Sequence, residues 1–129
     1  MGRDLPDKKG VLVDTYGSAD FSRDVIRKFP MLQAELQEDV GLLHMQMGTL
    51  SKIVLQAITS GELVFPLQIC EFLDSVLSRE CVHPEIENSL AISFIEASAL
   101  RQSKIGRQLL KKMPSRVEKI LIDQERRGG

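Results

Sequence analysis

From Ser18 onward the apolar residues recur at three- and four-residue intervals, and no stretch alternates polar with apolar. That period lines up side chains on one face of a helix, whereas a half-buried strand needs a period of two. Prolines and glycines punctuate the pattern, leaving helical stretches of ~10–15 residues joined by turns of ~4–6. The expectation is an all-α protein: an irregular antiparallel helical bundle, or a short HEAT-like stack, of about six to seven helices.

The helices can be placed individually. Ser18 is read as an N-cap, with Phe21, Val25 and Phe29 on one face of the helix that follows. Pro30 ends that helix, because it disfavours helical geometry at the residue before it, and it can open the next. There Leu32, Leu36, Val40 and Leu43 form a stripe with a break at Gly41. A third helix follows Gly48, carries Leu50, Val54, Ala57 and Ile58, and stops at a Gly61 C-cap. Pro66 opens a fourth, with Ile69, Cys70, Leu73, Val76 and Leu77 at amphipathic spacing. After a turn at 78–83, Pro84 opens a fifth that is predicted to run to about Leu100. Ile86, Leu90, Phe94 and Ala97 line one of its sides and Ile92, Ile95 and Ala99 another, so it is expected to be central, with neighbours on both. A sixth carries Ile105, Leu109 and Leu110 to Met113-Pro114. Ser115 and Glu118 then match a capping box that opens the last.

The chain's 129 residues suit one core. Residues 1–17 read as a loose N-terminal arm with one short apolar run, Val11-Leu12-Val13. Residues 18–125 form a single helical domain, and 126–129 a frayed tail. With five Phe, one Tyr and no Trp, the core is expected to be aliphatic. No apolar run approaches the ~18 residues of a membrane span, and the start lacks an apolar signal region. Cys70 and Cys81 are expected to be free thiols, so the protein is expected in the cytoplasm without membrane contact.

Charge is segregated along the chain. Residues 34–96 hold ten acids against Lys52 and Arg79, whereas residues 97–129 hold nine bases against three acids. A field of one sign steers association with a partner of the other. The alternative is that the acids pair with the C-terminal bases on folding, or lie on solvated helix faces. Glu71, Asp74, Glu80, Glu85 and Glu87 flank a single inter-helix turn and are the candidate partner-binding residues. The bases Arg101, Lys104, Arg107, Lys111, Lys112, Arg116 and Lys119 lack an aromatic stacking platform, so nucleic acid is not the expected partner.

Catalytic patterns are missing. There is no glycine-rich phosphate loop, no serine elbow and no His-Glu-x-x-His, so no catalytic residue, metal ligand or cofactor is assigned. His44 has no neighbour in sequence to work with as a base and reads as structural. Cys81, His83, Glu85 and Glu87 are of ligand type but fall short of the spacing of a structural zinc site. Glu96 is read as a carboxylate that reaches solvent or pairs with a base such as Arg101. Met31, Met45, Met47 and Met113 are read first as core filling and second as an adaptable surface.

Phe29-Pro30-Met31-Leu32, then His44 to Leu50 in the pattern H-x-x-x-G-x-L, then Gly61 and Glu71-Phe72-Leu73, then Asn88 to Glu96 in the pattern N-x-x-x-x-S-F-x-E, carry a resemblance. Across residues 29–96 the chain resembles a family of small all-helical bacterial proteins of unknown function. That family is similar to the immunity proteins encoded beside polymorphic or contact-dependent growth-inhibition toxins. Gln46 and Met47 stand where the family pattern is more apolar or aromatic. The resemblance implies an antitoxin-type protein that binds a cognate toxin, a basic nuclease domain, and occludes its active site. The alternatives are a helical adaptor or assembly subunit, and an RNA-associated protein using the basic C-terminal segment.

Overall fold

The computed structural model describes residues 15–128. Val11-Leu12-Val13 and Gly129 lie outside them. Among the described residues there are eight α-helices and no named strand: α1 (Ser18–Lys28), α2 (Gln33–Leu36), α3 (Leu43–Thr59), α4 (Val64–Leu77), α5 (Pro84–Ser93), α6 (Ala97–Leu100), α7 (Lys104–Lys112) and α8 (Ser115–Gly128). The all-α expectation holds. The count exceeds seven because the predicted fifth helix divides into α5 and the single-turn α6.

Helices α3, α4, α5 and α8 form the centre. α3 packs against α4 and most extensively against α5, and both α4 and α5 also pack against α8. α5 therefore lies between α3 and α8, as its two apolar sides imply. Leu50, Val54, Ile69, Leu73, Ile86, Leu90 and Val117 on these helices are sealed from solvent, together with Leu109 of α7.

The expectation of an aliphatic core fails at one seam. Phe29 meets Phe65 and Phe72 edge-on, with ring centroids 5.7 Å apart in both pairs, and Phe21 lies 5.8 Å from Phe72. Four of the five phenylalanines thus join α1 and its C-cap to α4, the two Phe29 pairs in the edge-to-face geometry that aromatic quadrupoles favour and Phe21–Phe72 tilted at 51°.

Several boundaries move for physical reasons. Gly17, not Ser18, caps α1: its N–H donates to the Asp20 carboxylate, 2.9 Å away. Just before it, Tyr16 is buried and pairs with the turn after α4; its N–H donates to the Cys81 carbonyl and its carbonyl accepts from His83 N–H, both at 2.8 Å. Among the described residues, the packed region thus begins at Tyr16. The predicted helix from Pro30 becomes a 3-10 turn (Pro30–Leu32), α2 and a second 3-10 turn (Gln37–Asp39). Leu32, Leu36 and Leu43 are buried, but Val40 is 57 % exposed because the chain turns out at Gly41, where φ is +82°. The third helix begins at Leu43 rather than after Gly48 and ends as predicted. Gly61 sits at φ +81°, the Gly61 N–H donates to the Ile58 carbonyl and the Glu62 N–H to the Ala57 carbonyl, which is the Schellman closure.

The predicted fifth helix, 84 to 100, is broken. α5 stops at Ser93, Phe94 and Glu96 are extended, and α6 restarts at Ala97. Neighbours in a continuous helix point 100° apart, so burying Phe94 would turn Ile95 away; the break buries both. Its second apolar side is only partly covered, and Ile92 stays 59 % exposed. At α8 the Pro114 carbonyl accepts from Glu118 N–H, which puts Ser115 inside the first turn rather than at the cap.

Candidate partner-binding surface

The five candidate acids take three positions. Glu80 in the 78–83 turn and Glu87 on the first turn of α5 are exposed. Glu85 lies between them, its carboxylate 3.6 Å from His83 Nδ1. His83 caps α5 by accepting from Glu85 N–H at 3.1 Å, which fixes the turn against the helix start. Leu77, Val82, His83 and Pro84 form a shallow hollow beside Glu87. Glu71 lies about two turns back along α4 and opens onto a groove against the end of α1, with Phe29, Phe72 and the 64 %-exposed Met31. Asp74 is drawn the other way, toward α8, and is paired with Arg116 at 3.4 Å. The turn thus gathers three of the acids, Glu71 faces a separate groove, and Asp74 is neutralised from within.

Pairing between the acidic and basic segments is otherwise sparse. Among the described residues, Asp74–Arg116 is the one ion pair that joins 34–96 to 97–129. Arg101 pairs with Glu125 and Lys119 with Asp123, both inside the basic segment. Glu96 is exposed at the N-cap of α6 and is not the partner of Arg101. It borders a cavity of about 260 Å³ with Gln124 and Glu125 above Ile95 and Leu121.

Compared with known protein families, curated proteins and solved structures, the chain matches none.

The turn is anchored by a charged cluster that periodicity does not reveal. Tyr16 Oη donates to Asp24 at 2.9 Å, Arg23 grips the same carboxylate from 2.8 Å, and Arg79 stacks over the Tyr16 ring at 4.3 Å. The hydrogen bond from Arg23 holds the Asp24 carboxyl below its usual range, and burial with the Asp24 charge pushes the Tyr16 hydroxyl up. Arg79, one of two bases in the acidic segment, is thereby tied to α1 at 3.5 Å rather than to Glu80.

The other candidates are placed as follows. His44 Nδ1 and Ser93 Oγ are 2.7 Å apart, joining the start of α3 to the end of α5. A nucleophile–base pair has its base oriented by a third group, and among the described residues none bonds the other ring nitrogen. No group of three or more His, Cys, Asp or Glu able to hold a metal is found among the described residues. Both cysteines are free; Cys70 is buried, and loss of water pushes its thiol up to about 12. Met47 and Met113 fill the core, while Met31 and Met45 are exposed, so the methionines divide between their two expected roles. No helix among the described residues is long and apolar enough to cross a membrane.

Of the exposed apolar residues, the sequence reading weighs Met31 and Met45 as a surface, places Val40 on a buried stripe and does not single out Leu42. Leu42 and Met45 at the start of α3 are 54 % and 58 % exposed. Met31 and Val40 lie where 3-10 turns replace the expected helix. Pro30 directly before Met31, and Gly41 directly after Val40, were the available signals.

Proposed function

We propose that this chain is an antitoxin-type binding protein that works by occlusion, with no chemistry of its own. The partner it suits is a basic macromolecule, a toxin's nuclease domain by the resemblance of residues 29–96. The observation that carries this reading is the failure of the acidic segment to pair internally. Of its ten acids, one meets a base of the C-terminal segment among the described residues. The rigid 78–83 turn presents Glu80, Glu85 and Glu87, and the adjacent groove combines Glu71 with Met31 and two phenyl edges. Apolar surface beside acid is what a desolvated contact with a charged rim requires. Acids at such a surface set encounter rate and discrimination more than affinity.

The test is growth rescue. The product of the neighbouring reading frame should arrest growth when expressed alone, and co-expression of this chain should restore it. The two proteins should co-purify, with an association rate that falls as salt rises. E71K/E80K/E87K should weaken rescue while leaving the helical content unchanged. An undiminished rescue by that variant would exclude the acidic surface, and a neighbour without toxicity would count against the whole reading.

A further inference from the structure

The basic segment has a surface of its own. In α7 the residues that face the core are Ile105, Gly106 and Leu109, and Lys104, Arg107, Lys111 and Lys112 are all exposed. At 100° per residue these four and Gln108 fill one continuous arc opposite the buried side. The cations therefore share one side of the helix, because its core-facing residues claim the other half.

Nothing local neutralises that arc. The sequence of α7 contains no acid. Among the described residues Lys104, Lys111 and Lys112 have no ion pair, whereas Arg23, Arg79, Arg101, Arg116 and Lys119 each have one. The arrangement also works against the helix. Lys104 and Arg107 are three apart, and Arg107 and Lys111 four apart, spacings at which like charges repel. Lys104 occupies the first turn, where the helix dipole disfavours a cation. Arg107 donates to the Arg101 carbonyl at 2.9 Å, and the dipole favours Lys111 and Lys112 in the last turn. The crowding of four cations on one face, however, has no acid on the helix to relieve it, and a local conflict of that kind marks function more often than folding.

We infer that the outer face of α7 binds the phosphate backbone of a nucleic acid without reading its sequence. Lys104 and Lys111 are about 10 Å apart along the axis, roughly the axial rise of three phosphates on one strand of a duplex. The face carries no aromatic residue, so it offers no stacking platform for bases. It also offers no large apolar side chain among its lysines, so a lipid surface would be held by charge alone.

The experiment is fluorescence anisotropy of labelled duplex DNA and labelled single-stranded RNA, titrated with the full chain over a series of salt concentrations. Three lysine–phosphate contacts predict a slope of log affinity against log salt of about −3 on duplex and about −2 on single strand. K104Q/K111Q/K112Q should lose binding by about tenfold or more at low salt. Circular dichroism should show it folded, since all three positions are exposed. E71Q/E80Q/E87Q, on the acidic surface, should bind as wild type does. No binding at low salt, a salt-independent affinity, or equal binding by the lysine variant would overturn the inference. So would co-sedimentation with phosphatidylserine vesicles by a protein that ignores both nucleic acids. None of these results bears on growth rescue, which uses the other surface.

Discussion

At the scale of single residues, Gly106 is the most constrained position. A Cβ placed there would lie 2.1 Å from the Leu100 carbonyl oxygen and 2.9 Å from its carbon, so α7 touches the end of α6 backbone to backbone. Alanine ordinarily favours a helix interior by about 1 kcal/mol over glycine, but here the contact is with main chain and cannot relax by rotation. Gly106→Ala should destabilise by roughly 2–3 kcal/mol in urea unfolding. Gly48 in α3 has nothing within 4 Å of its Cβ position, and Gly48→Ala should gain up to about 1 kcal/mol. Titration gives a second test. The folded Asp24 carboxyl is held below its ordinary 3.8, so its contribution is present above that value and fades as pH falls through it. The folded Tyr16 hydroxyl is held above its ordinary 10.0, so its contribution is complete below pH 10 and lost as pH rises further. Y16F should flatten the alkaline fall in stability and D24N the acid one, each followed by thermal unfolding across pH. Thiol reagents add a third: at neutral pH the native protein should expose Cys81 and not Cys70, whose thiol is buried and held protonated.

At the scale of elements, the helices with repeating stripes and strong stop signals were legible, and the joints were not. α4 and α7 follow from spacing, and α3 ends at Gly61 as glycine chemistry requires. The connection 30–42 could not be read, because what fixes it is a side chain from another helix. Gln46 is fully buried. Its Oε1 accepts from Ser22 Oγ at 2.8 Å and its Nε2 donates to the Leu36 carbonyl at 3.1 Å. Ser22 Oγ in turn accepts from Gly41 N–H at 3.0 Å. One chain of bonds thus ties α1, α2, α3 and the Gly41 turn, and satisfies the polar groups that irregular backbone leaves inside. Q46L should cost about 2 kcal/mol, because Ser22 and the Leu36 carbonyl would be buried without partners. Adding S22A should not restore stability, since Gly41 N–H would then lose its acceptor too. The break at Phe94–Glu96 was equally invisible: it contains neither proline nor glycine, and only tertiary packing requires both Phe94 and Ile95 to turn inward.

At the scale of the whole molecule, sequence supplied the charges of the candidate surface but not their pairing. The segregation could have vanished on folding, with central acids meeting C-terminal bases, and residue order cannot decide this because it depends on which helices become neighbours. α4 and α8 do become neighbours, and Asp74–Arg116 is the result. Elsewhere Glu80, Glu85 and Glu87 cluster at the 78–83 turn and Glu71 borders the α1–α4 groove, while Lys104, Arg107, Lys111 and Lys112 occupy the outer side of α7. Two like-signed fields therefore remain on a chain whose net charge is only −1. The consequence is a sign that can be measured. If attraction between the segments dominated, added salt would screen it and lower stability. Repulsion within each segment is the larger effect here, since Glu80, Glu85 and Glu87 crowd one turn and four cations share one helix face. Raising sodium chloride from low concentration toward the range where the Debye length is about 8 Å should therefore raise the unfolding temperature. The gain should shrink in K104Q/K111Q/K112Q, which removes one of the two fields. A melting temperature that falls with salt would mean that the segments attract each other more than each repels itself, and would leave the acidic surface no free field with which to steer a partner.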